Sequence, residues 1–339
     1  MPGTRKRHWC LGPDAGTLAR MSPRQIGLLA ALSAIWGGSY LLIKYALEDL
    51  SAPMVVWSRV AVAAVVLLVL IRSTMGSGAV RQVANELRDR PRSGLLLGTL
   101  AVALPFTLIT LGELEVPSGL TAVLISPASL FVALFAPWID PSERVDRRQG
   151  VGIVLGLAGV ALVVGVESVH SLGELLGALA MIGAAASYGL SSFVVKRRYG
   201  HLAAMQTSLV SIFVTTVLTA PLALATLPSA LPGARALLSV LVLGAVGTAL
   251  AFVIFYKLIN EVGAGRASLV SYLAPGVALF YGALLLDEAI TAAAIAGLAL
   301  ILGGVALAGR KRVTPSGSAG RRSASPRRPP RDRPLRRAA

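Results

Sequence analysis

The 339-residue chain is 55% hydrophobic and 14% charged, with a mean hydropathy of +0.73. That is more apolar surface than a water-soluble domain of this length can hide, so the solvent for most of it must be lipid. Its net charge of +16 is therefore read through membrane topology rather than nucleic-acid binding, and its single cysteine, Cys10, excludes an intramolecular disulfide.

Residues 1–20 carry no helical pattern, and residues 1–25, with five basic residues, are expected to form a short cytoplasmic N-terminal segment. The first apolar run starts only near Ile26, is too long for a signal-peptide core and lacks a cleavage-like boundary. Met21-Ser22-Pro23-Arg24 would serve as an ordinary lead into it, which makes Met21 a second candidate start of translation. Ten apolar runs then follow in order, near 26–44, 54–71, 94–112, 118–139, 150–166, 173–195, 203–227, 236–258, 265–286 and 290–309. Each is long enough to cross about 30 Å of hydrocarbon as a helix. The expected fold class is an all-α membrane protein with ten transmembrane helices and no soluble domain. From residue 310 to 339 an Arg/Pro/Ser-rich tail is expected to be a disordered basic segment.

With ten spans, every Lys and Arg except Lys44, Arg59 and Arg235 falls on one face of the membrane. The positive-inside rule makes that face cytoplasmic, with both termini on it, in a plasma (inner) membrane of a bacterium. The 72–93 connection reads as a cytoplasmic loop, and the 113–117 and 286–290 turns face outward.

The chain repeats itself. AIWGGSYLLIK at 34–44 matches ASYGLSSFVVK at 186–196, with Gly37, Ser39 and Lys44 opposite Gly189, Ser191 and Lys196, and Trp36 opposite Tyr188. Pro127 and Pro275 each open an apolar helix that ends at an acidic turn, Glu143 or Glu288. A glycine-studded helix follows, in which Gly152 matches Gly297 and Gly159 matches Gly304. Five helices per half is an odd number, so the second copy enters the membrane inverted relative to the first. A membrane chain duplicated in this way is most simply a secondary transporter.

Trp36-Gly37, Arg59, the Pro127 and Pro275 helices with Glu143 and Glu288, and the glycine-rich fifth and tenth helices together resemble the drug/metabolite transporter superfamily, in its ten-helix EamA-like branch. The likeness runs from about 26 to 309, as a first repeat over 26–166 and a second over 173–309. Two departures stand out: the seventh helix has no counterpart of Arg59, and the first half carries a short insertion between its proline and Glu143. The resemblance implies a transporter of a small metabolite, amino acid or drug. It also implies that helices 1–4 and 6–9 surround the pathway while helices 5 and 10 pack outside.

Arg59, about two turns inside the second helix, is the sharpest candidate. A guanidinium at that depth needs a partner, a wet cavity or a route to the headgroups. In the first helix Ser33, Gly37, Tyr40 and Lys44 share one face, and with Trp36 and Ser39 they suit a polar cavity or a packing seam. The sixth helix repeats the stripe with Ser187, Tyr188, Ser191 and Ser192. Pro105, Pro127 and Pro275 each free a carbonyl and are hinge candidates. Ser126 and Ser129, and Ser271 and Tyr272, could satisfy the freed groups or face substrate. Glu143 and Asp287-Glu288 read as caps of the helices that follow them. Gly152, Gly156, Gly159, Gly297, Gly303 and Gly304 read as close-packing faces, with a homodimer through helix 5 or 10 as a further use.

No Asp or Glu falls at mid-helix, since Glu113, Glu115, Glu174 and Glu261 lie near ends, and no acid is expected beside Arg59. A substrate with an anionic group therefore fits better than a lipophilic cation. No metal-ligand spacing, nucleotide-binding loop or nucleophile motif appears, and His8, His170 and His201 lie outside helix centres. The expectation is a non-enzymatic exporter of a small molecule, working in the lipid bilayer by alternating access, with no cofactor, metal or nucleic acid. The rivals are an intramembrane enzyme acting on lipid-linked substrates and a non-transporting membrane interaction protein.

Overall fold

The computed structural model describes residues 21–139, 146–167, 171–262, 267 and 269–308. The terminal segments 1–20 and 309–339, with Cys10 and the basic tail, and Glu143 and His170 lie outside the described residues. Among the described residues every regular element is helical.

Helix α1 (Pro23–Leu47) begins where Ser22 and Gln25 cap each other reciprocally and Pro23 supplies a preset first turn. Ser51 caps α2 (Ala52–Thr74) from one side only, accepting from the Met54 amide at 3.3 Å. Helix α3 (Ser77–Asp89) occupies the connection read above as a loop. Its Val80, Val83 and Leu87 fall on one face and pack on the second-helix core, while the charged face stays exposed.

The third run is an interrupted helix: α4 (Pro91–Gly98), a π-helical segment Thr99–Ala103, and α5 (Leu104–Gly112). Pro105 sits just after that segment, where the widened turn accommodates its missing N–H. The fourth run breaks at Pro127 into α6 (Ser118–Ile125) and α7 (Ala128–Ile139). The carbonyl that Pro127 leaves without its helical partner is that of Val123, and the Ser126 hydroxyl donates to it at 2.7 Å.

Helices α8 (Arg147–Glu167), α9 (Leu172–Arg198) and α10 (Ala204–Ala225) follow. Asp146 caps α8, accepting from the Gln149 amide at 2.8 Å. The eighth run repeats the design of the third, with α11 (Ala234–Val242), a π-helical segment Leu243–Leu250, and α12 (Ala251–Val262). The last two helices are α13 (Val270–Leu285) and α14 (Ala292–Ala308). Pro275 lies inside α13, which continues through it, so of the three hinge candidates only Pro127 interrupts its helix outright.

Among the described residues eight helices are long and apolar enough to cross a membrane, and α13 and α14 are shorter apolar helices of 16 and 17 residues. Exposed apolar side chains such as Val65, Val154, Leu222 and Ile295 cover the outer surface, as a lipid-facing exterior requires.

The glycine faces of α8 and α14 meet each other. A Cβ on Gly152 would stand 2.6 Å from both the Gly304 carbonyl and the Ala308 amide. A Cβ on Gly159 would stand 2.8 Å from the Gly297 carbonyl. The close-packing expected of these glycines is thus met within the chain, with the pair set against α7.

Glu288 corrects its expected role. The helix after it, α14, is capped by Thr291, which accepts from the Ala294 amide at 3.0 Å. The Glu288 carboxylate instead reaches back to the N-terminus of α6, accepting from the Ser118 and Gly119 amides at 2.7 and 2.9 Å and from the Ser118 hydroxyl at 3.0 Å. The positive end of α6 attracts it, and three donors hold it. Glu288→Ala should therefore cost about 1–3 kcal/mol, as expected for charge-assisted bonds to a helix N-terminus. Thermal unfolding of the purified protein checks this, with Glu288→Gln losing less.

Candidate functional site

Arg59 is 8% exposed, so its guanidinium is enclosed by protein rather than snorkelling to the headgroups. Its Nε–H donates to the Thr248 hydroxyl at 3.0 Å, and its Cζ lies 4.0 Å from the centroid of the Phe106 ring. The Thr248 hydroxyl in turn donates to the Leu243 carbonyl five residues back at 2.9 Å, a bond that fits the π-helical turn. The backbone can approach so closely because Gly244 lies against Arg59, where a Cβ would stand 2.7 Å from the Arg59 carbonyl. Among the described residues the two Nη groups find no hydrogen-bond acceptor, which leaves the planar fork of the guanidinium available.

The other sequence candidates divide. Tyr40 and Tyr188 lie part-buried and share the electrostatic surroundings of Arg59. Trp36 packs against Phe255 with ring centroids 5.3 Å apart. The Ser39 and Ser191 hydroxyls are buried but bond their own helices, to the Ile35 and Tyr188 carbonyls at 2.9 and 2.8 Å. Ser192 is exposed and bonds the Gly189 carbonyl, and Ser271 is exposed on α13, so neither joins the buried group around Arg59. Tyr272 is part-buried against the core that includes Tyr40. Ser129 keeps a buried hydroxyl with no hydrogen-bond partner.

Three residues of this site were not singled out from sequence. Thr248 and Phe106, the contacts of Arg59, look like ordinary members of apolar runs. Glu113 sits at a helix end, yet its side chain turns inward and is 0% exposed. Lys44 donates to the Glu113 backbone carbonyl, while neither carboxylate oxygen has a hydrogen-bond partner. Lys44, Glu288 and Arg59 are the charged groups nearest to it electrostatically. Glu113 thus lies buried although it stands at a helix end: a helix end marks a position along the chain, not exposure. The unpaired Lys44 of the helix 1 stripe was the signal that could have found it.

The halves of the chain interlock around these residues. Gly37 on α1 packs on α13 beside Pro275, where a Cβ would meet Val277 at 2.8 Å and the Ala274 carbonyl at 2.9 Å. Gly189 on α9, its counterpart in the repeat, packs on α7 beside the Pro127 break, where a Cβ would meet Phe131 at 2.8 Å. The first π-helical segment is likewise served from across the repeat: Ser187 donates to the Leu100 carbonyl at 2.8 Å, and Thr215 to the Gly98 carbonyl at its start at 3.1 Å.

One end of the bundle is tied by Arg235 to Glu48 at 3.2 Å, by the Gly233 amide to Asp49 at 2.8 Å and by Ser51 to Thr226 at 2.9 Å. At the other end His201 Nε2 lies 2.9 Å from Glu86, and Gln206 donates to the Ala79 carbonyl at 3.0 Å. There burial, and then the Glu86 charge, push the Tyr199 hydroxyl up to about 12.

The sequence profile of the EamA-like transporter family matches this chain twice, over residues 24–165 and 175–310. The chain belongs to the EamA-like transporter family. Among its relatives are proteins named as transporters: YoaV of Bacillus subtilis, named an uncharacterized transporter, is 25% identical over 282 residues, 82% of this chain and 94% of its own. A protein of Streptantibioticus cattleyicolor, named "Probable terminal-alkyne amino-acid exporter", is 26% identical over 81% of this chain and 90% of its own. The inner membrane transporter YedA of Escherichia coli K12 is 27% identical over 76% of this chain and 81% of its own. A crystal structure of a protein 19% identical in sequence superposes with a TM-score of 0.61, covering 84% of this chain and 96% of that one, which shows a shared fold. The chain is thus a multi-pass membrane protein of a transporter family.

Proposed function

We propose that this protein is a ten-span secondary transporter that exports a small metabolite or amino acid across the inner membrane by alternating access. Its two repeats, 26–166 and 173–309, are read as inverted five-helix units, with both termini in the cytoplasm. The observation that carries the reading is Arg59, an enclosed guanidinium bonded to the protein only through Nε, with both Nη groups free to hold an anionic group of the solute. Tyr40 and Tyr188, from corresponding helices of the two halves, are read as lining the same site. The reciprocal packing of Gly37 and Gly189 supports a rocking motion of one half against the other, and the name of the Streptantibioticus relative supports export of an amino acid.

The reading is tested by reconstituting the full chain in proteoliposomes and following efflux of a panel of radiolabelled amino acids and organic acids. Protein-dependent flux of an anionic or zwitterionic solute is expected; its absence across the panel, with correctly inserted protein, overturns the reading. The orientation has its own test, in a Cys10→Ser background. Gly78→Cys and Ala289→Cys both place a thiol at an exposed position. In intact cells an impermeant thiol reagent should spare position 78 and label position 289. The reverse pattern overturns the topology.

A further inference from the structure

Glu113 is not needed to recognise an anion, and its surroundings ask for another role. Its carboxyl group is completely enclosed, and neither oxygen accepts a hydrogen bond. An ionised carboxylate without partners in such a place is strongly disfavoured, because burial removes its water and nothing replaces it. Lys44 is within reach, yet its ammonium is spent on the backbone carbonyl of the same residue. Were the carboxylate ionised, the nearby ammonium would be drawn to it rather than to the weaker dipole of the carbonyl. The arrangement is the one expected around a neutral acid.

The charged and titratable groups that act on it are Lys44 and Tyr40 from α1, Arg59 from α2 and Glu288 from the turn before α14; Tyr188 from α9 acts on Arg59. Burial is the largest influence and holds the acid neutral; Lys44 opposes it, Glu288 adds to it and Arg59 opposes it, so the entry of water is what shifts the balance. Glu113 also lies near one end of the bundle. Lys44, its neighbour, is one turn from Glu48, whose pairing with Arg235 ties that end to the second half of the chain.

We propose that Glu113 is a proton-binding site of the transport pathway, neutral while the site is sealed and exchanging its proton when the end held by Glu48 and Arg235 opens. The step is simple in its balance: the carboxyl O–H bond breaks as water enters, the proton leaves to that water, and the carboxylate remains facing Lys44. Proton binding here would give the proposed exporter a means of coupling to the proton gradient. The purpose rests on the transport reading, but the test reads the carboxyl itself and needs no substrate.

Infrared spectra of the purified full-length protein in lipid, compared between wild type and Glu113→Gln at neutral pH, should differ by the carbonyl-stretch band of a neutral carboxylic acid. Transfer to D2O should shift that band. In a Cys10→Ser background, Glu48→Cys and Arg235→Cys joined by a short bifunctional thiol reagent should slow the shift at least tenfold. Lys44→Met keeps the glutamate and serves where Glu113→Gln fails to accumulate. Removing its charge should move the titration of the band upward by about 1–3 pH units. A wild-type spectrum without the band overturns the proposal, as do a band indifferent to D2O and an exchange rate indifferent to the cross-link. A titration that Lys44→Met leaves in place also overturns it. Absence of solute flux would instead defeat the transport reading and leave the band in place.

Discussion

Arg59→Ala is expected to abolish solute flux while leaving a folded, inserted protein. The guanidinium makes one hydrogen bond, to Thr248, and lies over the face of Phe106, so its removal leaves a hydroxyl that keeps its own bond to the Leu243 carbonyl. What it takes from a bound anion is much larger. Truncating one partner of a buried, hydrogen-bonded charge pair costs about 2–5 kcal/mol, and at about 1.4 kcal/mol per tenfold the loss of affinity is roughly 30-fold to several thousand-fold. Arg59→Lys keeps the charge but replaces a planar fork with a compact ammonium that cannot donate in two parallel bonds, so flux should still fall sharply. Thr248→Val removes the anchor of Nε together with the bond to the Leu243 carbonyl, keeps Arg59 itself, and should raise the apparent KM with a smaller effect on the maximal rate. Efflux from proteoliposomes, normalised to inserted protein, separates these outcomes. If Arg59→Ala and Arg59→Lys both transport normally, Arg59 does not recognise substrate. If both fail to accumulate, its role is structural.

The contrast between Arg59 and Glu113 shows what periodicity carries. Arg59 was legible because a charge two turns inside an apolar run violates the pattern of that run. Helix starts were legible for a similar local reason: Ser22, Ser51 and Ser171 stand directly before their helices and cap them. The Pro127 break and its rescue by Ser126 needed only neighbouring residues. Helix α3 was written in the spacing of Val80, Val83 and Leu87, but its charged face hid it among loop residues.

Other features depend on what a residue meets across the fold. Glu288 stands before one helix yet caps another, because α6 brings three donors to it. The π-helical segments Thr99–Ala103 and Leu243–Leu250 leave no compositional trace, since the carbonyls at the first are satisfied by Ser187 and Thr215 on distant helices. Phe106 and Thr248 become partners of Arg59 only once the third and eighth runs pack beside the second.

Gly37→Ala and Gly189→Ala should each impair transport, and to similar extents, because they hold equivalent places in the two halves. Each helix lies so close to its partner that one methyl group has nowhere to go. On Gly37 it would press on Val277 and on a backbone carbonyl, and on Gly189 on Phe131 and the Val132 amide, which would stand 3.2 Å away. Backbone cannot rotate aside as a flexible side chain can, so the helices must separate, at a cost of about 1–3 kcal/mol for overpacking a tight core. In a transporter that alternates between packings, that cost falls on the state in which the helices are closest. At about 1.4 kcal/mol per tenfold, a bias of this size shifts the balance between states by roughly 5- to 150-fold. Gly27→Ala is the control, since a methyl group there meets nothing within 4 Å. Efflux rate and thermal stability, measured together on the three variants, distinguish the outcomes. Loss of flux in both tight variants, with Gly27→Ala unchanged, supports a pathway closed by paired glycine contacts. A loss confined to one of the two would mean that the halves do not move as equivalents.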